Sequence, residues 1–215
     1  MEQNLAILIA DLSGYTALTE THGPSTAADM VDKFLNIVKV CLVGDCKLHQ
    51  CVGDEVVIVS PFPDQLICTA IMLIQNCSNE HHFLQVHGGL HFGKVLVRNG
   101  HLFGSPINLT SRIAGKANKG TFWCSSGFVN ELSNSSEFTF CTKGKHLFKN
   151  VSEETEVFEL TLQDPNSIHI DPVCRMLIHN KEKAVPHPSE KNIFFCSPDC
   201  LYIYINTWNS QLQGI

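Results

Sequence analysis

Apolar residues along this chain fall into short blocks with two different spacings. Ile7-Leu8-Ile9-Ala10 is an unbroken apolar run that ends in Asp11 and is followed by the small residues Ser13-Gly14. Such a run predicts a strand buried on both faces, with a turn after it. Gly23-Pro24-Ser25 reads as a loop, with Ser25 or Thr26 capping a helix on which Ala27, Met30, Val31, Phe34, Ile37, Val38 and Cys41 recur at helical spacing. Lys47 to Ser60 predicts a hairpin that turns at Gly53-Asp54. Pro61-Phe62-Pro63 ends it, and Leu66, Ile67, Ala70, Ile71, Leu73, Ile74 and Cys77 mark a second, very apolar helix. Phe83 to His91 alternates as a strand, and Gly93 is expected to turn the chain into a partner strand at Lys94-Val95-Leu96-Val97. The order predicts an α+β, ferredoxin-like βαββαβ domain with helices covering one sheet face and Asp11 and Asp54 on adjacent central strands.

That juxtaposition carries the first chemistry. Two carboxylates beside substrate phosphates are the usual protein contribution to a Mg²⁺ site. Two such ions would activate an attacking oxygen and neutralise a polyphosphate leaving group. The plain alternative for Asp11 is a strand that ends in an acid at a solvent-facing turn. Further on, Ser105-Pro106 predicts a helix start, with Ser as cap and Pro at the first helical position. Asn108 and Arg112 then lie four apart on one face, suited to orienting a ribose and offsetting charge on a phosphoryl group, unless they are ordinary surface residues.

Composition narrows the class. At 215 residues, 44% hydrophobic and 17% charged, the chain has enough material for one good core and a small appendage. The net charge of −6 gives no electrostatic case for nucleic acid or an anionic membrane. No apolar run approaches a membrane span, and Met1-Glu2-Gln3-Asn4 lacks the basic start of a secretory signal, so the expected location is cytoplasmic. Of the 10 cysteines, Cys41, Cys46, Cys51, Cys68, Cys77, Cys124 and Cys141 are expected as reduced core residues. Cys174, Cys196 and Cys200 sit apart in a short tail, where a cluster points to metal before disulfide. Of the histidines, His87 and His91 are expected to be structural.

The segments IADLSGYT, QCVGDEVV, GGLHFGKV, GHLFGSPINLTSRIAGKANKG and HLFKNVSEETEVFEL resemble, in order and spacing, the class III nucleotidyl cyclase catalytic domain. The resemblance covers about residues 4 to 162. It implies a domain at 1–162 that makes a cyclic nucleotide and pyrophosphate from a nucleoside triphosphate with two Mg²⁺ or Mn²⁺ ions, in a head-to-tail homodimer with shared sites. It implies Asp11 and Asp54 as metal ligands, and backbone amides of Leu12, Ser13, Gly14, Tyr15 and Thr16 facing the triphosphate. Asn108 matches the ribose-orienting residue, Arg112 the transition-state arginine and Lys149 the lysine on the terminal phosphates. The base pocket departs from the family pattern. Gln50 stands where adenylate cyclases usually have Lys and guanylate cyclases Glu, and His101 stands where adenylate cyclases usually have Asp. Amide and imidazole both donate and accept, so neither reads adenine uniquely. ATP is the first expectation, with GTP or a pyrimidine triphosphate left open.

Residues 163–168 read as a linker of turn formers. Beyond it, DPVCRM and FCSPDC resemble a YHS domain, which implies a small treble-clef-like module at 169–215 that holds Zn²⁺ or another thiophilic metal such as Cu⁺. Arg175 departs from the pattern, where Gly is usual. His187 and His179 are the candidates for a fourth ligand beside Cys174, Cys196 and Cys200, and the spacing does not decide between them. The functional expectation is a nucleotidyl cyclase whose activity is linked to the small metal module. The alternative is a catalytically weak or inactive nucleotide-binding or dimerisation domain that presents a metal-binding tail.

Overall fold

In the computed structural model, the described residues are 1–161, 169–178 and 181–212. The expected linker at 163–168 and His179 lie outside them. The chain divides into two units, Met1–Leu162 and Gln163–Ile215.

The first unit is built around β1 (Glu2–Leu12), whose residues 5–10 are all buried, as its continuous apolar run requires. β1 lies between β3 (Glu55–Ser60) and β4 (Val86–Arg98), antiparallel to both. β2 (Lys47–Val52) completes the hairpin on the outside of β3. The sheet continues past β4 through β6 (Phe122–Ser125), β8 (Thr155–Thr161) and β7 (Thr139–His146), giving the order β2-β3-β1-β4-β6-β8-β7. β5 (His101–Phe103) folds back onto β4. The two outermost strands each carry an irregularity of register, between Leu48 and Gln50 on β2 and between Thr142 and Gly144 on β7.

α1 (Tyr15–Cys41) and α2 (Pro63–Asn79) pack against each other, and α2 packs on β1, β3 and β4. The apolar stripe foreseen for α2 is buried throughout. α3 (Ser105–Ala114) packs on β1 and β4, its Ala114 and Ile107 against Leu5, Ile7, Ile9 and Val95. The short α4 (Ser126–Val129) follows β6, capped by the Ser125 hydroxyl, which accepts from the Phe128 amide.

Several local expectations are corrected. α1 begins at Tyr15, and Gly23-Pro24 is a kink within it, with Gly23 at φ 82, where glycine is free of the Cβ penalty. Thr26 does not cap; its hydroxyl donates to the His22 carbonyl. β4 is one strand through Gly93, which makes no turn: a Cβ there would come within 2.7 Å of Pro106 Cγ, so the glycine lets α3 approach the sheet. α3 starts one residue earlier than expected, with Gly104 in the cap position and Ser105 inside the helix. Cys51 and Cys141 are exposed on the outer strands, whereas Cys41, Cys46, Cys68, Cys77 and Cys124 are buried.

In the second unit, a bridge between Ile170 and Leu177 is followed by β9 (Val185–Pro186), paired antiparallel with β10 (Phe194–Phe195), and then α5 (Pro198–Leu212). Phe195 is fully buried and Tyr204 of α5 packs on it, with ring centroids 5.3 Å apart. Among the described residues, no helix is long and apolar enough to cross a membrane.

Candidate active site

Asp11 is the penultimate residue of β1, paired in register with His87 of β4. Asp54 sits on the two-residue turn between Val52 and Glu55. Gly53, at φ 60, takes the first central position of that turn, where a tight hairpin needs glycine. Because β3 lies directly beside β1, the turn brings the Asp54 carboxyl into hydrogen-bonding reach of Asp11. Burial, then the hydrogen bond and negative charge of Asp11, push the Asp54 carboxyl up to about 7. Burial and the Asp11 charge also raise Glu55. The Leu12 amide donates to Asp11 Oδ1 at 3.0 Å. Carboxylates that resist joint ionisation without a compensating positive charge are a donor set suited to a hard divalent cation.

The residues after Asp11 form the floor of the same site. Gly14, at φ 92, turns the chain from β1 into α1, whose first turn has no side-chain cap. A helix start of this kind presents backbone N–H groups and the positive end of the peptide dipoles. The Ser13 amide donates to the Gln85 carbonyl at 2.7 Å, and the Ser13 hydroxyl lies 2.9 Å from His87 Nδ1, so the turn is fastened to the residues entering β4. Asp11, Leu12, Ser13, Gly14, Tyr15, Thr16 and Asp54 line one open cavity of about 390 Å³, together with His87, Ala117 and Lys119.

The other expected site residues lie elsewhere on the unit. Asn108 and Arg112 are exposed on α3, one turn apart. Lys149 is exposed in the segment joining β7 to β8, and its neighbour Phe148 is buried in one apolar cluster with Ile113 of α3, Trp123 and Val157. That shared cluster ties the lysine's segment to the helix that carries Asn108 and Arg112. Gln50 is exposed on β2 beside its irregularity, and His101 is exposed on β5. His101 lies near enough to His49 to depress the His49 imidazole, although burial contributes more. None of these five is among the residues lining the cavity.

Three cavity residues escaped the sequence: His87, Ala117 and Lys119. His87 is not merely structural: it lines the cavity. Its alternation on a strand was visible, but its register with Asp11 was not. Lys119 sits within the Gly115–Gly120 segment, where a basic residue among turn formers was the only signal. His91 does behave as expected. Its Nδ1 lies 2.7 Å from the Ser125 hydroxyl, and burial drives its imidazole down to about 4.

In the second unit, Asp171, Cys174, Cys196 and Cys200 offer ligand atoms that all lie within 4.8 Å of one another. Cys174 Sγ is 3.4 Å from Cys196 Sγ, which is 3.8 Å from Cys200 Sγ. The fully buried Asp171 accepts from the amides of Val173 at 2.7 Å and Cys174 at 3.1 Å through Oδ1, and from Cys196 at 2.7 Å through Oδ2. Burial opposes its ionisation, but these amides hold its carboxyl below the usual range. Burial, the Asp171 carboxylate and the adjacent thiols push Cys196 up to about 12. Three close thiols are the donor set of a thiophilic ion. His187, one of the two candidates for a fourth ligand, is outside this cluster. Its Nδ1 accepts from the amides of Ser189 and Glu190, and its ring packs on Phe195 and Tyr204. Arg175 adopts φ 63, a left-handed conformation that suits the glycine expected there.

No family model matches the chain. Over 112 residues it is 36% identical to an uncharacterized protein of Mycobacterium tuberculosis, a match covering 52% of this chain and 30% of the relative. Over 134 residues it is 29% identical to an adenylate cyclase of Glutamicibacter nicotianae, covering 62% of this chain and 33% of the relative. The chain thus spans about a third of the length of the curated relatives it matches. A solved adenylate cyclase of Trypanosoma brucei in its monomeric state superposes with a TM-score of 0.64 at 18% identity, over 73% of this chain and 89% of that one. The first unit therefore has the α+β fold, with a mixed sheet, of a nucleotidyl cyclase catalytic domain.

Proposed function

We propose that this chain converts a nucleoside triphosphate, ATP first, into a 3',5'-cyclic nucleotide and pyrophosphate, as a homodimer with shared sites. The observation that carries this reading is the meeting of Asp11 and Asp54 in one cavity with the uncapped start of α1. Two Mg²⁺ or Mn²⁺ ions held by Asp11 and Asp54 would supply charge neutralisation at the triphosphate and activation of the attacking ribose hydroxyl. The chain's own groups do the rest. Amides of Gly14, Tyr15 and Thr16 orient the phosphates, since those of Leu12 and Ser13 already donate to Asp11 Oδ1 and the Gln85 carbonyl, and Asn108 orients the ribose. Arg112 offsets the charge that develops as the hydroxyl attacks the α-phosphorus in line, and Lys149 grips the terminal phosphates.

The separation of these residues on one chain supports the dimer. Asp11 and Asp54 lie at the cavity, whereas Asn108, Arg112 and Lys149 are exposed outside it. A head-to-tail pair would unite the first set of one subunit with the second set of the other, twice over. Gln50 and His101 would meet the base. For the second unit, we propose a YHS-like module in which Cys174, Cys196 and Cys200 hold Zn²⁺ or another thiophilic metal, and whose occupancy regulates turnover.

The test is a turnover assay of the purified chain with Mn²⁺ or Mg²⁺ and each of the four ribonucleoside triphosphates, with Asp54→Ala as control. One cyclic product, lost in the variant, is expected. A folded protein that binds triphosphate but forms no cyclic product from any base would replace this reading with a nucleotide-binding module.

A further inference from the structure

Lys119 stands at the mouth of the cavity that holds Asp11 and Asp54, on the same chain as both. Its position is fixed by backbone geometry. Asn118 to Thr121 form a tight turn in which the Thr121 amide donates to the Asn118 carbonyl at 3.1 Å. Gly120, at φ 75, follows the lysine as the third residue of that turn, the arrangement of a type II turn. The Thr121 hydroxyl donates to the same carbonyl at 2.9 Å. The turn is in turn fastened to the sheet: the Gly88 amide donates to the Thr121 carbonyl at 3.1 Å. Gly88 is paired with Ala10, the residue before Asp11. One short chain of hydrogen bonds thus sets the lysine's backbone relative to the metal carboxylates.

Its side chain is free for a ligand. Lys33, Lys94 and Lys143 each pair with a glutamate, whereas Lys119 forms no salt bridge among the described residues. The uncapped start of α1 lines the same cavity, so a polyphosphate seated there would meet both its amides and the Lys119 ammonium. Lysine binds phosphate as a point charge on a flexible stem, which suits a group reaching inward from an exposed turn. The cations expected from the resemblance, Arg112 and Lys149, lie outside this cavity on the same chain.

We propose that Lys119 is a phosphate-binding residue of its own chain's half-site, so that a single subunit holds the metal-bound polyphosphate before a second subunit adds Arg112 and Lys149. The proposal rests on the cyclase reading for its substrate, and its test separates the two. The probe is inorganic tripolyphosphate with Mn²⁺, titrated calorimetrically into the full chain and into Lys119→Gln and Lys119→Arg. Lys119→Gln weakens binding about tenfold with unchanged thermal midpoint, and Lys119→Arg stays within about twofold of the parent. In turnover, Lys119→Gln raises KM for the triphosphate far more than it lowers kcat. Equal affinity of the parent and Lys119→Gln for Mn²⁺-tripolyphosphate overturns the proposal, as does a parent chain that does not bind the probe. Lys119-dependent binding in a chain that cyclises no nucleotide would leave it standing and overturn the cyclase reading alone.

Discussion

The carboxyl group of Asp54 lies beside that of Asp11 where β1 ends next to the β2–β3 turn, and burial together with that neighbour holds a proton on Asp54 up to about pH 7. An unfolded chain releases the same proton near the ordinary aspartate value. The folded metal-free protein therefore binds the proton more tightly than the unfolded one, and loses stability as pH rises from about 4 to about 7. Asp54→Asn removes that loss. In the presence of a chelator at pH 8, its thermal midpoint should exceed the parent's by about 2–4 °C, a difference that disappears towards pH 4. A melting series across pH measures this. Mn²⁺ should raise the midpoint of the parent but not of the variant.

A shared site predicts complementation. Asp54→Ala and Arg112→Ala damage different halves, so each homodimer is inactive while a mixed dimer keeps one intact site. Equal mixing with subunit exchange should restore about a quarter of parental turnover, since half the dimers are mixed and each has one site of two. Cyclic nucleotide formation on mixing measures it. A mixture as inactive as its components would place all the machinery within one subunit.

The helix that carries Asn108 and Arg112 owes its height above the sheet to Gly89. A Cβ at Gly89 would lie 2.5 Å from the Ala114 amide nitrogen and 2.6 Å from the Thr110 carbonyl oxygen, both backbone atoms. Gly89→Ala must therefore lift α3. The expected cost is about 1–3 kcal/mol of stability. Turnover should fall further than stability explains, measured at a temperature where the variant remains folded.

In the second unit, Asp171 is the acceptor for three amides, two of which belong to cysteines of the cluster. Asp171→Ala leaves those amides without their partner, at a cost of about 1–3 kcal/mol where they stay buried. Zn²⁺ affinity should fall and thiol alkylation should quicken. Metal content after dialysis and alkylation rates measure both effects.

How much of this was legible in the sequence depended on whether the signal was local. Asp11 and Asp54 stood out because each follows or opens an apolar strand at a turn, and the hairpin at Gly53 is defined by its own residues. The stripe on α2 was equally plain. Gly93 misled because glycine serves both turns and close approach, and only the position of Pro106 distinguishes them. Gly23-Pro24 misled because a kink and a loop use the same residues. His87 and Lys119 were hidden because their place beside Asp11 depends on strand pairing across long stretches of chain. In the tail the three thiols were legible from their spacing, but Asp171 was read only as part of a motif. His187, one of the two candidate histidines, is instead packed on Phe195 and Tyr204.

The interruptions of register on β2 and β7 fall on the two free edges of the large sheet. An uninterrupted edge is a template on which another chain can add a strand, and a bulge spoils that template. Both margins of this sheet are therefore guarded against open-ended, fibre-like growth. The proposed homodimer would then have to form away from these margins, through contacts that close into a discrete pair rather than propagate.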